Sequence, residues 1–133
     1  MALQLSAAVR NARLDAIEAT IGTSAVLKIR TGSAPANVAA ADSGDVLATL
    51  SLPSDWMEAA SSGSKAKNGT WQDLSADDDG TAAHFRIYAS NGTTAHMQGT
   101  VGTSGADLNL SSVSFTAGQS VTITSFTLTE ANA

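Results

Sequence analysis

The sequence predicts a mainly β protein, an antiparallel β-sandwich or small barrel with one N-terminal amphipathic α-helix. Two observations predict it. From Ala25 to Thr129, short runs of alternating apolar and polar residues are separated by Gly, Pro, Asn and Asp turn signals, the pattern of many short strands. From Leu3 to Ile21 the apolar residues recur with helical period instead, and Gly22 follows at once as a helix C-cap. The 133 residues are expected to form one domain, residues 1–133, with the helix at 3–21 and the β-sandwich at 25–129.

Within the helix, Gln4, Asn11, Asp15 and Glu18 gather on one side and Leu3, Ala7, Leu14, Ile17 and Ile21 on another. Leu5, Val9 and Ala16 widen the apolar arc, so the helix has the composition to touch two surfaces. Arg10 and Arg13 lie inside that arc. They either snorkel to the core's edge or reach carboxylates on a neighbouring subunit.

The first strand is Ala25 to Arg30, with Leu27 and Ile29 in and Lys28 and Arg30 out. Thr31 to Gly44 is a small-residue loop containing Pro35. Val46, Ala48, Leu50 and Leu52 share a face of the next strand, which Pro53 ends. Ser54 to Lys67 is a long excursion in which Trp56 and Met57 favour burial. A short strand at Thr70–Leu74 and a turn at Asp77–Gly80 follow.

Ala83, Phe85, Ile87 and Ala89 form one strand face, and Ala95, Met97, Gly99 and Val101 form the next. A three-residue loop, Ser90-Asn91-Gly92, keeps those faces together, pairing Ile87 with Ala95 and Phe85 with Met97. It also sets Gly92 at the left-handed position of such loops. A last hairpin is expected from Asp107 to Thr129, turning at Thr116–Gln119. Inward parity switches between Leu108/Leu110 and Val113/Phe115, and again between Val121/Ile123 and Phe126/Leu128. Such switches mark bulges or strands that cross between sheets.

Charged residues are only 14% of the chain, against roughly a quarter in typical domains. Ala, Ser, Thr and Gly replace them, which suits close packing against other chains. The net charge is −5 and the seven Lys and Arg are scattered, so neither nucleic acid nor an anionic membrane surface is an expected partner. No cysteine is present, and no stretch approaches transmembrane length. Met1 to Arg10 lacks the basic and apolar regions of a signal peptide, so a cytosolic product is expected.

The candidate chemistry is sparse. Asp77-Asp78-Asp79 lacks EF-hand spacing and reads as a solvated turn. Asp55 and Glu58, three apart beside Trp56, are the single pair that a hydrolase could use. In the expected register His96 lies opposite Arg86 and His84 opposite Gln98, so the two histidines could approach diagonally, but no third metal ligand accompanies them. There is no nucleophile elbow, Walker loop or dinucleotide fingerprint, and no cofactor is expected. Trp56, Trp71 and Tyr88 are either buried anchors or stacking platforms for sugar rings.

Five stretches carry a resemblance: Leu3 to Ile17, Leu27 to Pro35, Leu52 to Met57, Ala83 to Tyr88 and Val121 to Thr129. Together they resemble a family of short virion-associated proteins of tailed bacteriophages and prophages. The resemblance implies a non-enzymatic virion component assembled in the host cytoplasm. The expected role is capsid decoration, with the major capsid protein or other virion proteins as partners and a homo-oligomer, a trimer, as the unit. A low-copy neck, tail or fibre component is the structural alternative, and a surface carbohydrate-binding module is the alternative of another class. The subunit interface is expected to use Leu5, Val9, Arg10, Arg13 and Trp56.

Overall fold

Ser6 starts the helix and Gly22 ends it. The Ser6 hydroxyl accepts from the Val9 N–H at 3.2 Å, and the Gly22 N–H donates to the Glu18 carbonyl at 2.9 Å. Helix α1 therefore spans Ala7–Ile21, and the expected first turn from Leu3 is not helical. The computed structural model describes residues 3–130; the first two and last three residues of the expected domain lie outside them.

The rest is mainly β, and the sheet curls into a half-barrel. Its first wall has the order β2 (Val46–Ser51), β1 (Val26–Thr31), β5 (Gly80–Tyr88), β6 (Ala95–Gly102), β7 (Leu108–Asn109). All neighbours are antiparallel except β6 and β7, and β8 (Ser114–Phe115) pairs with the start of β5. Each of three ladders skips one residue: Leu47 against β1, Ala83 against β1, and His96 against β5. Bulges raise the local twist, which accounts for the curl. The first bulge also explains why Leu47 and Ala48 are both buried.

The second wall is built from β3 (Ser64–Ala66), β4 (Trp71–Asp73), β9 (Val121–Ile123) and β10 (Thr127–Thr129). β10 pairs with β3 and β9 with β4. Four residues lie between Ala66 and Trp71, but three between Ile123 and Thr127, so the register slips by one. That slip is the parity switch seen between Ile123 and Phe126, and both side chains are buried. The expected final hairpin is not formed: its segments pair with β6, β5, β4 and β3 rather than with one another. The Thr116–Gln119 turn is present, with the Gln119 N–H donating to Thr116.

The β5–β6 loop also differs from expectation. The Ala89 N–H bonds to the Thr94 carbonyl, so the loop is Ser90–Thr93, and Ile87 pairs with Met97 and Phe85 with Gly99. The Asn91 carboxamide accepts from the Thr93 and Thr94 N–H groups, which favours the longer loop. Gly92 does take the left-handed conformation, at φ 72°.

The excursion after Pro53 folds back on itself. Ser61 and Ser64 exchange backbone hydrogen bonds across Ser62 (φ 51°) and Gly63 (φ 74°), a tight two-residue hairpin turn. The walls meet through a run of aromatic contacts from Trp56 to Trp71 (6.0 Å), Trp71 to Phe126 (5.5 Å) and Phe126 to Phe85 (5.7 Å). Such pairs add about 0.5–1.5 kcal/mol each beyond burial.

Candidate functional site

Helix α1 docks by an arc in which buried Leu14 and Ile21, with Ile17 packed on the core, adjoin a polar edge. Asn11, Asp15 and Glu18 lie one helical turn apart, and their side-chain oxygens accept from the backbone N–H groups of Gly63 (2.9 Å), Ala60 (3.0 Å) and Met57 (3.1 Å). The helix thus supplies acceptors to the excursion's backbone, which would otherwise be left without partners. Lys65 on β3 completes the clamp. Its ammonium, with the side chain only 2% exposed, reaches Asp15 at 2.7 Å, Glu18 at 2.9 Å and the Glu58 carbonyl at 2.8 Å.

All three Lys65 protons are engaged. Burial alone would lower its pKa, but hydrogen bonds to Asp15 and Glu18 and their charges outweigh it, so the net shift is upward. The hydrogen bonds from Lys65 and the Ala60 N–H lower the Asp15 carboxyl, against a smaller opposing effect of burial. The cleft above, about 550 Å³, is lined by Asp15, Glu18, Asp55 and Lys65 among others. Its lysine is a fixed cation, unsuited to act as base or nucleophile. Asp55 and Glu58, the single pair that a hydrolase could use, are both exposed.

With that edge sealed, α1 turns Ala8, Val9, Ala12, Ala16 and Thr20 outward, all exposed. Leu5 is half-buried beside them, Val9 is 46% exposed and Leu3 is 78% exposed. A groove of about 290 Å³ runs between Arg13, Ile17 and Thr20 and the bulged His96. Of the expected interface residues, Leu5, Val9 and Arg13 thus lie on or beside the outward face. Arg13 pairs with Glu130 of the same chain at 3.3 Å, and Arg10 donates to the Leu5 and Glu130 carbonyls. Trp56 is a correction: it is fully buried, and its indole N–H donates to the Gly22 carbonyl at 2.9 Å, tying the helix end to the core. Trp71 and Tyr88 are also fully buried, so of the two readings these aromatics are buried anchors and not stacking platforms for sugars.

A second polar cluster lies on the opposite face of the first wall. Arg30, expected to point to water, is 7% exposed, and His84 and Arg86 are 1% exposed. The Thr31–Gly44 loop crosses this face as a strap and hides them. Asp42 on the strap accepts from Arg30 Nη2 (3.1 Å), Arg86 Nη1 (2.8 Å) and the Tyr88 hydroxyl (2.7 Å). Strap carbonyls accept further bonds: Gly44 from Arg30, Asn37 from Arg86, Pro35 from Gln98 and Gly32 from His84 Nδ1. Burial would raise the Asp42 carboxyl, but the Tyr88 and Arg86 hydrogen bonds and both guanidinium charges lower it overall. Burial and the bond to Asp42 raise the Tyr88 phenol, against Arg30.

The histidines do not form the expected diagonal pair. His84 is opposite Thr100, while His96 is the bulged residue and faces α1. Among the described residues no group of three His, Cys, Asp or Glu side chains is placed to hold a metal. Asp77, Asp78 and Asp79 are exposed, and Asp77 and Asp79 accept bonds from Thr49 and Ala117.

Sequence reasoning did not single out Asn11, Glu18, Asp42 or Lys65 as site residues. The i, i+4, i+7 spacing of Asn11, Asp15 and Glu18 was visible, and it is the signal of a polar docking edge. No family model, curated protein or solved structure matches this chain.

Proposed function

We propose that this protein is a structural component of a tailed bacteriophage particle, a decoration protein that binds the assembled head and stabilises it. The outward face of α1 carries the reading. A helix whose polar edge is consumed internally presents Ala8, Val9, Ala12, Ala16 and Thr20 to the outside, a low surface of small uncharged residues flanked by the Arg13–Glu130 pair and suited to close packing against another chain. The described polar clusters support it too, because their charged groups are engaged in holding elements together. The mechanism is linkage: a protein that binds only the assembled lattice shifts the equilibrium toward that lattice. A homotrimer suits the threefold points of an icosahedral head.

The test is an Ala12→Glu/Ala16→Glu double variant. Both positions are exposed and neither makes a side-chain hydrogen bond, so the fold is expected to melt as the parent does. The variant is expected to be lost from purified particles in competition with the parent. Incorporation equal to the parent would remove this face from the interface.

A further inference from the structure

The strap from Gly32 to Asp45 contains no fully buried residue; its apolar Ala34, Pro35, Val38 and Ala40 are half-buried at most. The contacts described above that hold it to the sheet are polar, made by Arg30, Arg86, Tyr88, His84 and Gln98. Lifting the strap therefore breaks polar contacts that a competing ligand can remake, and withdraws no fully buried side chain of its own. Beneath the strap lies a cationic face. Lys28, whose ammonium sits 5.0 Å from the Tyr88 ring, Arg30 and Arg86 are three of the seven Lys and Arg in an acidic chain. One carboxylate serves two guanidiniums here, and Arg30 Nε, buried, has no acceptor at all. A cavity of about 380 Å³ opens beside Asp42 and Arg86, walled by Ala39, Thr93 and Ala95.

We propose that this face is a carboxylate-binding site whose resident ligand is Asp42, exchangeable for a carboxylate presented in trans. Two guanidiniums and a phenol hydroxyl converging on one carboxylate form a receptor of high charge-assisted strength. Because the resident ligand is tethered by a strap with no fully buried side chain, a competing carboxylate can take its place while the strap lifts. An incoming carboxylate also has room to approach through the adjoining cavity. The inference concerns a different face from α1 and does not depend on the assembly reading.

The test follows the Arg30 and Arg86 Nε–H signals by NMR while acetate, or a blocked tetraglutamate peptide, is added at constant ionic strength against chloride. In Asp42→Ala both signals are expected to shift saturably. In the parent they shift with at least tenfold weaker affinity, because Asp42 competes at high effective concentration. Asp42→Ala/Arg86→Met is expected to lose the response. Tighter binding of the peptide than of acetate, per carboxylate, assigns the site to a protein partner; equal binding assigns it to free carboxylic acids. If Asp42→Ala does not fold in chloride, recovery on refolding in acetate supports the site, and failure in both overturns it. Equal affinity in parent and variant, a parent spectrum that never moves, or an unresponsive folded Asp42→Ala each overturns the proposal.

Discussion

Replacing Lys65 by methionine isolates the clamp that seats the helix. Methionine follows the buried aliphatic stem, so packing is largely kept and the three donated bonds are lost. Asp15 is 49% exposed at its side chain and rehydrates, so it is assigned no share of the loss. Glu18, at 21%, is left as a poorly solvated charge, and the Glu58 carbonyl loses its donor. A hydrogen bond to a charged group is worth about 1.5–3 kcal/mol; taking about 2 for the bond to Glu18 and about 1 for the Glu58 carbonyl left without its donor, the expected loss is about 3 kcal/mol. At about 4 °C per kcal/mol for a domain of this length, the melting temperature falls by about 12 °C. Urea denaturation reads the same change as a lower midpoint at unchanged slope. Adding Glu18→Gln should recover about 1 kcal/mol, because the orphaned charge is gone and the amide oxygen still accepts from Met57. A loss below about 1 kcal/mol in Lys65→Met would refute the clamp.

Other substitutions and pH probe the same account. Trp56→Ala should cost about 3–5 kcal/mol in urea denaturation, as a core truncation that also frees the Gly22 carbonyl; a near-neutral effect would return Trp56 to the surface. Gly63→Ala forces a side chain onto a backbone at φ 74° and places its Cβ 2.1 Å from Arg10 Nη1, so a loss of about 1–2 kcal/mol and displacement of Arg10 are expected. Asp15 and Asp42 are held below their ordinary 3.8 in the folded chain. Their stabilisation is complete above that value and lost as pH falls through the lower folded values. Lys65 and Tyr88 are raised above 10.5 and 10.0, so theirs is complete below those values and lost as pH rises through the folded ones. Melting temperature against pH should therefore show a plateau with both edges; in Asp42→Asn the acid edge should be shallower.

The elements legible in the sequence were those with one buried face and ordinary neighbours. Leu27 and Ile29 point inward as their alternation predicts, and both are fully buried. The parity switch between Ile123 and Phe126 marks a real one-residue slip, but partner choice was not legible, because β9 and β10 bond to strands about fifty and sixty residues upstream. Local turn signals favour hairpins and carry no information on such distant pairing. The β5–β6 register failed for a related reason: the His96 bulge and the Asn91 turn each add a residue that period-two counting does not contain.

The candidate sites were less legible. A helical wheel separates a polar arc from an apolar one; Leu14 and Ile21 are buried as the apolar periodicity expects, but the wheel does not say that the adjoining polar edge meets the protein too. Here Asn11, Asp15 and Glu18 turn inward because backbone N–H groups of the excursion need acceptors. Arg30, His84 and Arg86 have the alternation of a solvated face, and a strap of small polar residues buries them. Trp56 was expected at an interface because a large aromatic in an irregular segment suits either environment; its bond to Gly22 decides for the core.

The proposed role rests most directly on abundance in the particle. Quantitative peptide mass spectrometry of purified particles measures the copy number of this chain against the major capsid protein. The decoration reading predicts a simple lattice fraction, near one copy per capsid subunit. A handful of copies per particle would contradict decoration and move the protein to the neck, tail or fibres, and its absence would contradict the virion role altogether.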